Sequence, residues 1–161
     1  MTNKRTGFRK NVGKYGELSA CYYLENKGFS ILERNLVLSE GQKRGEIDIL
    51  AGKGSCIYIV EVKALRFYRT VGLCPELNLS RAKIRVLHQL RRIFLLKMYE
   101  TNNSDPFSAT RDKVISYLKA RKIERFTTKI LGIAVDIHMG DESTELEPRI
   151  SYLKFRVFTD L

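Results

Sequence analysis

Glu46 and Asp48 stand two residues apart, and so do Glu61 and Lys63. Alternate side chains of an extended strand share a face, so each pair would project from one side of its strand. Ile47 and Ile49 are expected on the opposite face of the first strand. In the second, Ile57 and Ile59 share the face of Glu61 and Lys63, and Cys56, Tyr58, Val60 and Val62 share the other. A strand apolar on both sides is buried, and a buried Glu and Lys must pair with each other or hold something. Neighbouring strands would bring Asp48 and Glu61 within a few ångströms, where each raises the other's pKa unless a cation lies between them. Mg2+ or Mn2+, held by these two carboxylates and water, would relieve that repulsion. Such an ion activates water and stabilises the charge that builds on a phosphodiester as it is cleaved. Lys63 would then stand beside the water and the phosphate. The competing reading is a plain ion pair of Lys63 with Glu61 or Asp48 at a strand end.

Two further residues sit where helices could present them. Glu17 shares a helical face with Ala20, Cys21 and Leu24, which aims its carboxylate at the core side, either into an acidic cluster or along the edge of an apolar stripe. Lys83 shares a face with Val86, Leu87 and Leu90, from which it either reaches a phosphate or snorkels to water. Arg81, Arg85, His88 and Arg92 recur at helical spacing on another face of the same segment. The arginines, together with the basic N-terminal residues, are candidates for phosphate contacts that position a substrate without reading its sequence, and a solvated charged face is the alternative.

The elements that must carry these residues follow from periodicity and punctuation. Residues 1–12 read as a basic N-terminal arm with Lys4, Arg5, Arg9 and Lys10. The pattern predicts a helix over Gly13–Lys27 stopped by Gly28, then strands over Phe29–Leu38, Gly45–Ala51 and Cys56–Lys63. Short connections make these three an antiparallel meander. Residues 66–78 form a loop with Gly72 and Pro75, followed by an amphipathic helix over Leu79–Tyr99 with the stripe Val86, Leu87, Leu90, Ile93 and Phe94. A shorter helix over Arg111–Lys122, capped by Thr110, precedes strands over Lys129–His138 and Arg149–Phe158. An acidic turn with Asp141, Glu142, Glu145 and Glu147 joins the two strands and lacks the oxygen pattern of a calcium loop.

Bulk composition narrows the class. The chain has 161 residues, 43% hydrophobic and 29% charged, which fits one globular domain over 13–161. No apolar run approaches the roughly 20 residues of a membrane span, and no apolar signal segment follows the basic start. A cytoplasmic protein without membrane attachment is expected. Cys21, Cys56 and Cys74 form no paired metal or redox motif, and His88 and His138 lack ligand spacing. Gly52-Lys53-Gly54-Ser55 lacks the first glycine of a phosphate-binding loop and precedes a strand, so it reads as a hairpin turn. The net charge of +11 projects a field that attracts polyanions, nucleic acid foremost.

Taken together, Gly16-Glu17, Asn35, Gly45-Glu46-Ile47-Asp48, Val60-Glu61-Val62-Lys63, Gly72 and Lys83 resemble the YraN family of small bacterial proteins. Glu17, Asp48, Glu61 and Lys63 form the acidic-plus-lysine signature of the PD-(D/E)XK nucleases. The match covers roughly residues 11–98. The resemblance implies an endonuclease-like fold similar to Holliday-junction resolvases and restriction enzymes. It implies Asp48 and Glu61 as metal ligands, Lys63 as catalytic, Glu17 as assisting and Glu46 as accessory. Two positions depart from the family: Leu65 stands where an arginine is usual, and the late strand opens Lys129-Ile130-Leu131, with Asp136 several residues on.

The expected protein is therefore an α/β, restriction-endonuclease-like domain with a mixed, about five-stranded sheet flanked by helices. Its expected activity is Mg2+- or Mn2+-dependent hydrolysis of DNA, branched or single-stranded, with a homodimer left open. The alternative is a nucleic-acid-binding module of the same fold with little hydrolysis of its own.

Overall fold

The computed structural model describes residues 4–67, 80–100, 105–139 and 150–159, with backbone alone at 4–11, 65–67, 139 and 150–152. The elements run α1 (Lys4–Asn26), β1 (Ser30–Glu40), β2 (Lys43–Lys53), β3 (Cys56–Phe67), α2 (Arg81–Tyr99), α3 (Ser108–Ala120), β4 (Thr127–Met139) and β5 (Ile150–Thr159). The acidic turn 141–147, Gly72 and Cys74 lie outside the described residues, as does most of the loop expected at 66–78.

The strands form one five-stranded sheet in the order β1-β2-β3-β4-β5. The first three are the expected antiparallel meander. β4 then lies parallel to β3, and β5 antiparallel to β4. A parallel neighbour demands a crossover, which α2 and α3 supply. Helices consequently cover both faces. On one, Ala20, Cys21 and Leu24 of α1 bury against Ile49, Val60, Val62, Ile133 and Val135. On the other, Leu87, Leu90, Ile93 and Phe94 of α2, with Val114, Tyr117 and Leu118 of α3, bury against Leu38, Ile47, Leu50, Ile57, Ile59 and Ile130. β3 is apolar on both sides because both cores meet it. No helix among the described residues is long and apolar enough to cross a membrane.

Helix ends follow their local chemistry. Gly28, at φ 80°, lets the chain turn back so that the Phe29 N–H donates to the Leu24 carbonyl at 3.0 Å. Ser80 caps α2, its Oγ accepting the Lys83 N–H at 3.2 Å.

Four expectations differ from the fold. α1 begins at Lys4, so residues 4–12 continue the helix instead of standing apart as an arm. α3 begins at Ser108, because Asp105 Oδ1 accepts the Phe107 N–H at 3.1 Å and starts the turn there. Thr110 is inside the helix, and its hydroxyl donates to Glu33 Oε2 at 3.3 Å. Val86 is 40% exposed, outside the buried stripe of α2.

A further difference, in the facing of β2, bears on the site. Ile47 and Ile49 were expected on one face of β2, yet Ile47 enters the core under α2 and α3 and Ile49 the core under α1. Alternation therefore slips at Asp48. Opposite it, between the pairs Arg34↔Ile49 and Leu36↔Ile47, stands Asn35 with φ 51°, a left-handed conformation inside a strand. The kink releases Asp48 from the regular pleat.

Candidate active site

β2 and β3 are paired from Lys53↔Cys56 up to Ile49↔Val60, and there the ladder ends. β3 continues beside β4 through Glu61, Val62 and Lys63. The parted strands leave the Val62 N–H without a backbone partner from β2. Asp48 fills that role: its Oδ2 accepts the Val62 N–H at 2.6 Å. A side chain thus continues a ladder that the backbone has left, and this fixes the carboxylate in the gap.

Glu61 comes to the same gap from β3 and is 2% exposed. A carboxylate so deeply buried needs a cation. Lys83 of α2 places Nζ 2.8 Å from Glu61 Oε2, and Lys63 places Nζ 3.3 Å from Glu61 Oε1. Both ammonium groups keep contact with water, at 33% and 47% exposure. Glu61 Oε2 receives charge from Lys83 but no hydrogen bond of proper geometry.

The Asp48 carboxyl is pushed up to about 7. Burial is the main cause, and the charges of Glu61 and Glu17 push the same way. The Val62 hydrogen bond and Lys83 oppose them without prevailing.

Glu17 reaches the site from α1. The helix sits unusually close to β3 at Gly16, where a Cβ would lie 2.3 Å from the Ala64 Cβ. Asn35 Nδ2 donates to Glu17 Oε2 at 3.1 Å and to Glu46 Oε1 at 3.2 Å. One amide therefore ties the helix carboxylate to the one on β2. Glu46 is accordingly beside Glu17, on the flank of the gap that holds Asp48 and Glu61.

The residues expected to act together do meet, with differences in role. Asp48, Glu61, Lys63 and Lys83 surround the parted strands, and Glu17 lies near enough to raise the Asp48 pKa. Lys83 engages Glu61 directly, whereas the sequence suggested a phosphate or solvent. Arg81, Arg85 and Arg92 are exposed along α2. Asn35 had no assigned role; an Asn within a strand pattern, a residue tolerant of positive φ, was the signal available. Asp136 is buried on β4 and pairs with Arg156 of β5 at 2.8 Å, one strand beyond Leu65.

No group of three or more His, Cys, Asp or Glu side chains among the described residues is arranged to hold a metal ion. The donor set still suits a hard, hydrated cation, which takes one or two carboxylates and keeps several waters. Burial keeps the Asp48 carboxyl raised even with Lys83 nearby, and the buried Glu61 Oε2 has no hydrogen bond among the described residues.

Comparison with known proteins places the chain in a family. Residues 16–126 match the model of the uncharacterised protein family UPF0102. A UPF0102 protein of Clostridium perfringens is 43% identical over 88 residues, covering 55% of this chain and 67% of its own. One from Syntrophus aciditrophicus is 36% identical over 108 residues, covering 67% and 77%. One from Dehalococcoides mccartyi is 27% identical over 146 residues, covering 91% and 92%. The matched span holds Glu17, Asn35, Asp48, Glu61, Lys63 and Lys83 together, and the chain belongs to UPF0102, the family whose YraN pattern its motifs carry.

Proposed function

We propose that this chain is a Mg2+- or Mn2+-dependent phosphodiesterase acting on nucleic acid, DNA in the first instance, on a restriction-endonuclease-like fold. The observation that carries the reading is the convergence of Asp48 and Glu61 with two lysines where β2 and β3 part. Asp48 and Glu61 are the residues that would hold the cation. Bound there, it would supply a Lewis acid for the phosphoryl group and an acidified water.

The chain's own side chains contribute the rest. The Val62 N–H fixes the orientation of Asp48. Lys83 neutralises Glu61 from the α2 side and holds it against the sheet. Lys63, half in water and 3.3 Å from Glu61, would swing its ammonium towards a scissile phosphate and offset the charge that develops there. Glu17 adds negative charge on the α1 side, which strengthens the pull on a cation. The exposed Arg81, Arg85 and Arg92 lie on the helix that carries Lys83 and would steer and seat a phosphate backbone.

The test is incubation of purified protein with circular, linear, single-stranded and four-way-junction DNA in Mn2+ or Mg2+. Wild type should cleave at least one of them, and Asp48→Ala, Glu61→Ala and Lys63→Ala should not. Cleavage that persists in all three variants belongs to a contaminant and sinks the reading. A second reading, a binding module with little hydrolysis, is favoured by one observation: Glu61 is already claimed by two lysines. DNA binding at low salt without cleavage in either metal would select it.

A further inference from the structure

The geometry points to Asn35 as a positioning residue that sets the carboxylate of Glu17 for cation binding at the Asp48–Glu61 gap, an inference that rests on the metal-site reading above. Asn35 is the strand residue whose backbone is left-handed, at φ 51°. It lies where β1 faces Asp48, between the pairs Arg34↔Ile49 and Leu36↔Ile47. Such strain inside a strand persists only when surrounding contacts hold it, and Asn tolerates it better than most residues.

Its side chain shows what the conformation accomplishes. A single nitrogen, Nδ2, donates to Glu17 of α1 at 3.1 Å and to Glu46 of β2 at 3.2 Å. Those two carboxylates repel each other, and the amide supplies the pair of N–H groups that lets them stay together. Without it Glu17, half-buried on α1, would swing away from Glu46. Asn35 stands where β1 faces Asp48, so the Glu17 carboxylate that it holds flanks the gap, and that charge would be lost from it. Asn35 thus links three segments, α1, β1 and β2, through one side chain and acts on a cation only through Glu17.

Glycine adopts φ near 50° without strain, so Asn35→Gly removes the amide and keeps the backbone. Two measurements test the assignment. In metal-free protein, nitrogen-resolved NMR should show the Asn35 side-chain amide shifting in both Glu17→Gln and Glu46→Gln. Calorimetric titration with Mn2+ should show Asn35→Gly binding about tenfold more weakly than wild type, the usual effect of losing a group that orients a ligand shell. Its melting temperature without metal should match wild type. Glu17→Gln should weaken Mn2+ to a similar extent, and the double variant should be no weaker than Glu17→Gln alone. Wild-type Mn2+ affinity in Asn35→Gly would overturn the assignment, as would an amide resonance indifferent to both glutamate changes. If wild type binds no Mn2+ while the amide still responds, the metal-site reading fails and the clamp itself stands.

Discussion

At the residue scale the site is a problem in burying charge. Glu61 is paired with two lysines, whereas Asp48 is held by the Val62 N–H. The Asp48 carboxyl has its pKa raised to about 7 in the fold, against 3.8 for the free group, so the native state binds a proton more tightly than the unfolded chain. That contribution to stability is complete below the unfolded value and is lost as pH rises to about 7. In metal-free protein, the melting temperature of wild type relative to Asp48→Asn should therefore fall between about pH 4 and pH 7 and then level off. A difference that stays flat across that range would mean Asp48 is ionised throughout. Lys83→Met should lower stability by about 1–3 kcal/mol, less than the loss from a fully buried pair because Lys83 is 33% exposed. Denaturant unfolding measures it, and an unchanged midpoint would mean that Lys63 alone satisfies Glu61. Asp48, Glu61 and Lys63 were legible in sequence because strand alternation and motif spacing coincide on them. The Asn35 bridge was not, because it joins residues on three segments that only packing brings together.

At the element scale the site depends on how closely α1 lies on β3. Gly16 makes that approach possible, since a Cβ there would fall 2.3 Å from Ala64. Gly16→Ala should force the helix outward and cost about 1–3 kcal/mol, the usual range for overpacking. Ala64→Gly, which deletes the opposing methyl, should recover most of the loss when combined with it. Additive melting-temperature losses in the double variant would show that the contact is not what limits the approach. The strands and their meander could be read from two-residue alternation and the turns that bound them. The slip at Asp48 could not, because Ile47 and Ile49 look equivalent in sequence and separate only where Asn35 bends the neighbouring strand. The start of α3 was misplaced at Thr110 for a related reason: Asp105 begins the turn earlier, and Thr110 faces Glu33 across the fold. The parallel placement of β4 against β3 likewise required knowing how α2 and α3 return the chain.

At the scale of the whole molecule, the charge of +11 is the property that a polyanion would meet first. The fold arranges part of it usefully: α2 carries Lys83 into the site and leaves Arg81, Arg85 and Arg92 exposed along its length. If those arginines seat phosphates, each releases about one counterion on binding, and the logarithm of affinity falls linearly with the logarithm of salt concentration. Replacing all three with glutamine should weaken duplex binding on every sequence tested and flatten the salt dependence by a slope of about three. Fluorescence anisotropy with metal-free protein over a range of salt measures this without interference from cleavage. An unchanged slope would move the binding surface off α2, even if the total affinity fell. A lower affinity with the slope reduced by about one would assign a single arginine to the backbone, and single substitutions would then identify it. Removing the ammonium of Lys83 should affect cation binding at Glu61 more than the salt slope, because that group is already neutralised by a carboxylate of the protein.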